Sequence, residues 1–288
     1  MPNVSTFSLV AYDPSCGAWG IAVASKFPAV GAVVPWAESG AGAVATQSFA
    51  NTTFGPRGLA FMRSGDSAQT ALKRLLEQDQ QAAQRQIGMV DAHGTPATFT
   101  GDECYPWAGG RTGEHYAMQG NLLTGPETLE AMETVFLTAQ TEFPEKLLAA
   151  LLAGDRAGGD KRGRQSAALY IVKPEGGYGS FNDRWIDYRV DDHPDPIPQL
   201  VSLLQLHQLY FGKSGPEDEL PLEDETVDGL LRILQKLGYL PQDHQQYDQK
   251  ARSALTAMIG NENFEDRTDL EKGVIDRPVF KFLMKKYT

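Results

Sequence analysis

A hydroxyl residue able to do chemistry, Thr6, heads the strand-like run TFSLVAY. A Thr has an ordinary reason to be there, because β-branched side chains pack well on a pleated surface. It also has a chemical one: at a free chain end its hydroxyl is a nucleophile and its own α-amine can serve as the base. Five residues, MPNVS, precede it. With them in place the Thr6 nitrogen is an amide and has no basicity, so the chemical reading requires a cut between Ser5 and Thr6. Both readings stand at this level.

Other polar residues fall at strand ends or in Gly-rich loops. Lys26 follows AVAS, where it is either a solvated edge charge or a cation that favours the nucleophilic form of a neighbouring hydroxyl or amine. ATQSFANTT gathers Gln47, Ser48 and Asn51 behind a strand, and QGNLLTG puts Asn121 between a strand and a helix. Such amides either satisfy loop backbone or bind substrate; in acyl transfer the N–H groups of Asn121 would suit an oxyanion. The densest stretch, GGDKRGRQSAALYIV, holds Asp160, Arg162, Arg164 and Ser166. It is a solvated loop, or a site where Asp160 orients an amine and an Arg fork, with Ser166, holds an anionic substrate. In RVDDHPDP, His193 stands among Asp191, Asp192 and Asp195. One His among carboxylates in a Pro-containing turn reads as a helix start with acids at its positive end, so no metal and no other cofactor is expected. Neither G-x-S-x-G, a P-loop, a dinucleotide fingerprint nor H-E-x-x-H occurs, which removes the commonest motif-bearing enzyme classes.

The elements that must position these residues follow from pattern. Small, apolar runs (TFSLVAY, AWGIAVAS, VGAVVPW, GAVATQS) predict strands covered on both faces. GPRGLAFMRSG and SAQTALKRLLEQDQQAAQ predict helices, the second capped by Ser67. RQIGMVDA and TPATFTG predict a hairpin closed by AHGT, with HYAMQGN as a further strand. Two helices (from Pro126 and Pro144), two strands (QSAALYIVK, RWIDYRVDD) and a helix from Asp195 follow. Strands, helices, strands, helices, strands is the order of segregated layers, satisfied by two antiparallel sheets between helices. KSGPEDELPLEDE, polar and broken by Pro, predicts a boundary. Beyond it, three helical patterns carry apolar stripes such as Leu230, Leu231, Ile233, Leu234 and Leu237.

Composition bounds the rest. At 288 residues, 41% hydrophobic and 22% charged, the chain is long enough for a large domain plus a small one and has globular usage. A net charge of −11 disfavours nucleic acid, whose binding needs clustered Lys and Arg. Without an apolar run of membrane-spanning length or a signal-like start, no membrane association and a cytoplasmic location are expected, with Cys16 and Cys104 reduced.

TFSLVAYDP, GIAVASKF, VGAVVPW, GAVATQ, GPRGL, QGNLL, GGDKRGRQSAAL and DYRVDDHPDPI, in that order over roughly the first two hundred residues, resemble the DUF1028 family. That family is similar to the N-terminal nucleophile (Ntn) hydrolases, which implies an α+β fold, a four-layer αββα sandwich. It also implies Thr6 as nucleophile, Lys26 beside the strand end, and a GGDKRGRQSAA loop similar to the RD..SG segment of proteasome-type members, with a different spacing from Asp160 to Ser166. LLRILQKLGY, SALTAMIGNENFEDR and IDRPVFKFL resemble a peptidoglycan-binding module found behind this family, a three-helix unit. The expected organisation is an Ntn-like domain over 1–212, a linker over 213–224 and a small all-α domain over 225–288. The expected function is an amidohydrolase acting on a small amide or peptide-like substrate, with peptidoglycan fragments as a further partner and a homo-oligomeric state. The alternative is a non-catalytic protein that keeps the fold and binds peptidoglycan or a partner.

Overall fold

The apolar runs at the head of the chain become β1 (Thr6–Asp13), β2 (Ala18–Ser25), β3 (Pro35–Glu38) and β4 (Gly42–Ser48) in the computed structural model, which describes residues 6–212 and 214–288. Helices α1 (Phe54–Arg63) and α2 (Ala68–Glu77) follow, then strands β5 (Arg85–Asp91), β6 (Pro96–Thr100), β7 (Gly109–Gly113) and β8 (Tyr116–Gly120). After α3 (Glu127–Thr138) and α4 (Phe143–Arg156) come β9 (Ser166–Val172), β10 (Arg184–Val190) and α5 (Pro196–Phe211). The strands form two antiparallel sheets, one ordered β10-β9-β2-β1-β8-β7 and one ordered β3-β4-β5-β6. Ser67 caps α2 as expected, accepting the Thr70 N–H at 3.2 Å. Asp91 ties two elements together: Oδ1 accepts the His93 and Thr95 N–H groups of the β5–β6 turn, and Oδ2 accepts the Ala68 N–H at the head of α2.

The period of two sorts each strand between two environments. On β1, Phe7, Leu9 and Ala11 pack with Leu129, Met132, Leu147 and Leu151 of α3 and α4. Val10 turns the other way and packs with Ile21, Val23, Ala43, Ala45 and Val90, in the space shared by the two sheets. The far face of the smaller sheet, with Val44, Ile87 and Met89, carries Phe54, Leu72 and Leu75 of α1 and α2. Each fully buried Leu contributes roughly 1.5–3 kcal/mol. Gly20 lets α4 approach: a Cβ there would lie 2.6 Å from Leu147 Cδ1.

The segment VGAVVPW, expected as one strand, is instead a 3₁₀ turn over Val30–Ala32 followed by β3. Ala29 there has a left-handed backbone (φ 52°), and the Ser166 hydroxyl accepts the Val30 N–H, so the chain bends where β propensity would extend it.

The first compact unit ends at Leu204 and the second is Gln205–Thr288, so the division falls inside α5 and ahead of the expected linker. Part of that stretch is ordered into β11 (Glu219–Pro221). The second unit is helical, with α6 (Asp224–Lys236), α7 (Gln249–Asn261) and α8 (Arg277–Tyr287), and it adds β12 (Thr268–Asp269) and β13 (Val274–Asp276) in a sheet ordered β11-β13-β12. It is therefore not all-α; strands this short show no readable alternation. Leu230, Leu234, Leu255, Phe264, Val279 and Leu283 fill its core, whereas Leu237 is 37% exposed. Arg267 is buried with its guanidinium on Asp276, the Gln208 and Leu209 carbonyls and the Ser214 hydroxyl.

Candidate functional site

Thr6 pairs with Ser25 on β2, and Ser25 pairs with Ser166 on β9. Thr6 shares the side of β1 that carries Ser8 and Val10, so this row of three hydroxyls faces the space between the sheets. Asn121, one residue beyond β8, extends the row on the other side, its N–H donating to the Thr6 carbonyl at 3.0 Å. All four residues are buried. Thr6 Oγ1 donates to Ser25 Oγ at 3.2 Å. The Ser166 hydroxyl is engaged differently, donating to the Phe27 carbonyl and accepting from Val30 N–H.

Across the gap, the smaller sheet presents Gln47, Gln86 and Thr100, which are cross-strand neighbours. Gln86 Nε2 donates to the Gly120 carbonyl (2.7 Å), the Gly109 carbonyl (3.2 Å) and Thr100 Oγ1 (2.9 Å). Its Oε1 accepts from Gln47 Nε2 and Asn121 Nδ2, both at 2.8 Å. Gln47 Nε2 also donates to the Thr6 carbonyl at 3.2 Å, and Gln47 Oε1 accepts from Ser8 Oγ at 2.7 Å. Gln119 Nε2 completes the network by donating to Ser8 Oγ at 2.6 Å. The glutamine fits because β5 carries a glycine opposite it: a Cβ on Gly88 would lie 2.0 Å from Gln119 Oε1. One end of the inter-sheet space is thus polar and the remainder apolar. Burying so many amides is costly unless each is hydrogen-bonded, and nearly all are; Asn121 Oδ1 has no partner among the described residues. The residues that follow Gln47 and Asn121, namely Ser48 (φ 66°) and Leu122 (φ 51°), both adopt a left-handed backbone, a strained state for side chains other than glycine.

Asp160 closes the strand-end side of the row. Its side chain is 1% exposed. Oδ2 accepts from the Lys26 backbone N–H (2.9 Å) and Arg162 Nη2 (2.8 Å), and Oδ1 accepts from the Arg162 backbone N–H and Nε. The loop is pinned to the segment after β8, with Leu123 and Asp160 in an isolated bridge. Ser25, Asp160, Arg164 and Ser166 line a crevice with Phe7, Ala24 and Ile197; its volume of about 10 Å³ is close to the room needed for one water.

The expected residues therefore divide. Thr6, Ser166, Asn121 and Gln47 stand together in the polar seam, with Asp160 at its edge. Lys26 reaches the site through its backbone N–H, while its Nζ donates to the Arg164 carbonyl at 3.1 Å. Arg164 lies between Asp155 and Asp195, and the Asp155 hydrogen bond raises its pKa above the ordinary arginine value. Asn51 works elsewhere: its Oδ1 accepts from the Thr53 N–H and hydroxyl at the head of α1, and its Nδ2 donates to Asp79. Asp79 in turn holds the buried Arg85, whose hydrogen bond keeps the Asp79 pKa down at about 2. His193 Nδ1 accepts the Asp195 N–H within its turn. Ser8, Ser25, Gln86 and Gln119 were not singled out by sequence. The one signal available was an unbroken β pattern with Gln on the face where its strand neighbours are apolar.

The model of the "Family of unknown function (DUF1028)" matches residues 6–200, and that of the "Putative peptidoglycan binding domain" matches residues 210–283. The crystal structure of protein SPO2555 from Silicibacter pomeroyi, described as DUF1028, is similar with a TM-score of 0.65 and 32% identity, over 74% of this chain and 91% of that one. No curated protein matched.

Proposed function

The chain belongs to the family of unknown function DUF1028, and we propose that it is an N-terminal nucleophile amidohydrolase with the αββα sandwich of that class, acting on a small amide or peptide-like substrate. The observation that carries the reading is the position of Thr6: it opens a central strand, its hydroxyl rests on Ser25, and it is flanked by buried amides in an otherwise apolar inter-sheet space. A free Thr6 would attack the amide carbonyl carbon through Oγ1. Its α-amine would take the hydroxyl proton and deliver it to the departing amine, leaving an ester that water then hydrolyses. In the uncut chain Thr6 is fully buried and its nitrogen is an amide, so activity requires loss of residues 1–5. The intact mass of the purified protein, read beside a screen of amide substrates with wild type and Thr6→Ala, tests this. A chain that starts at Thr6 and hydrolyses an amide, with no turnover by the variant, is the expected result; equal turnover by Thr6→Ala would sink it.

A second reading rests on the match over residues 210–283. In it the chain binds peptidoglycan through its second unit, and the buried Thr6 is a structural residue. Co-sedimentation with purified peptidoglycan, lost on deleting residues 205–288, is its expected signature.

A further inference from the structure

We infer that Asn121 serves the site as a hydrogen-bond acceptor: its Oδ1 receives an N–H of the Thr6 α-amine once that amine is free, and Gln86 holds it in this orientation. The inference rests on the amidohydrolase reading and assigns Asn121 the opposite polarity to an oxyanion donor.

The orientation of the amides follows from backbone groups. A carbonyl can only accept, so the Gly120 and Gly109 carbonyls fix which end of Gln86 is the NH₂. Gln86 Oε1 is then an acceptor, and the atom of Asn121 lying 2.8 Å from it must be Nδ2. Flipping Asn121 would set two oxygens against each other. The NH₂ group is therefore committed to Gln86, and Oδ1 is left as a buried acceptor without a partner among the described residues, on a side chain 1% exposed. A buried unmatched acceptor is rare enough to require an explanation.

Strand geometry identifies the donor. The Thr6 carbonyl faces β8, since it accepts the Asn121 N–H. In a β-strand the N–H and C=O of one residue point to the same neighbour, so the Thr6 nitrogen also faces β8. The row across the strands places both side chains on the inter-sheet side. A liberated ammonium at Thr6 therefore emerges beside Asn121. The charged groups on adjoining segments have partners of their own: Asp160 holds Arg162, Arg85 holds Asp79, and Lys26 Nζ donates to the Arg164 carbonyl.

The test titrates the α-amine itself in chains beginning at Thr6, released from a fusion by a protease that cuts ahead of it, with ¹⁵N-threonine as the reporter. An acceptor stabilises the charged amine. Asn121→Ala should lower the amine pKa by about one pH unit relative to the unsubstituted chain, and Asn121→Asp should raise it. Gln86→Ala, which frees Asn121 to turn, should lower it as well. Opposite signs for Ala and Asp are not produced by general loosening, and if one variant fails to fold the sign of the other decides. An amine pKa that is indifferent to residue 121 overturns the inference. Because the readout needs no turnover, a chain with a responsive amine and no activity would sink the hydrolase reading alone.

Discussion

Thr6 and Ser25 face each other across β1 and β2 with their hydroxyl oxygens 3.2 Å apart, the Thr6 hydroxyl donating. Because the Thr6 carbonyl points toward β8, the Thr6–Ser25 pair is of the type without mutual backbone hydrogen bonds, in which side chains approach most closely. The Thr6 hydroxyl thus has a neutral hydroxyl as its acceptor.

Ser25→Ala removes that partner while leaving the strand intact. On the proposed amidohydrolase reading Ser25 orients the Thr6 hydroxyl, so kcat of a chain beginning at Thr6 should fall about 100-fold, as for misplacement of a reacting group. Stability should drop by only about 1 kcal/mol. Steady-state kinetics with a urea titration checks both, and an unchanged kcat would remove Ser25 from the chemistry.

Gln86→Leu should be among the most damaging single changes in the first unit. It removes the acceptor of the Asn121 NH₂ and a donor to the Gly120 carbonyl, whereas the Gln47 NH₂ keeps the Thr6 carbonyl. Each buried polar group so exposed to hydrocarbon costs about 1–3 kcal/mol, so a loss of roughly 3 kcal/mol or more is expected in the denaturation midpoint.

Asp160→Ala leaves the Lys26 and Arg162 backbone N–H groups without an acceptor and the half-exposed Arg162 guanidinium without its carboxylate. The expected cost is roughly 2–3 kcal/mol, below that of a fully buried pair because water can reach the arginine. Asp160→Asn, which keeps one carbonyl oxygen, should recover part of it. Thermal melts of the two variants give the comparison.

Acid should weaken the fold through Asp79. Its native pKa of about 2 lies below the ordinary 3.8, chiefly because Arg85 hydrogen-bonds the carboxylate. The stabilisation is complete above about pH 4 and is lost as the pH falls through 2, with a span of about 2 kcal/mol. In Asp79→Asn that part of the acid dependence should vanish, measurable as a flatter urea midpoint between those pH values.

Much of this frame is legible in the sequence, and for physical reasons. The strands are runs of small apolar residues, the Ser67 cap and the AHGT turn use local chemistry, and the order of strands and helices follows from where the apolar pattern changes period. Thr6 stands out in sequence because a hydroxyl residue heads the first strand-like run near the chain start. Gln86 and Gln119 do not, since each is one polar residue inside a strand and only pairing between the two sheets brings them to Thr6. Nor does β7, whose GGRTG carries no apolar alternation. Nor are the partners of Lys26 legible, since its backbone N–H reaches Asp160 and its ammonium the Arg164 carbonyl, both more than 130 residues away in the chain.

The ladder of Thr6, Ser25 and Ser166 is fixed by a single alignment of three strands. Were β1 to slide by one residue, its side chains would exchange faces, putting Phe7 into the amide-lined gap and the threonine under α4. The oily contacts of Phe7 and Leu9 thus act as a proofreader: the misaligned sheet is penalised by its own hydrocarbon.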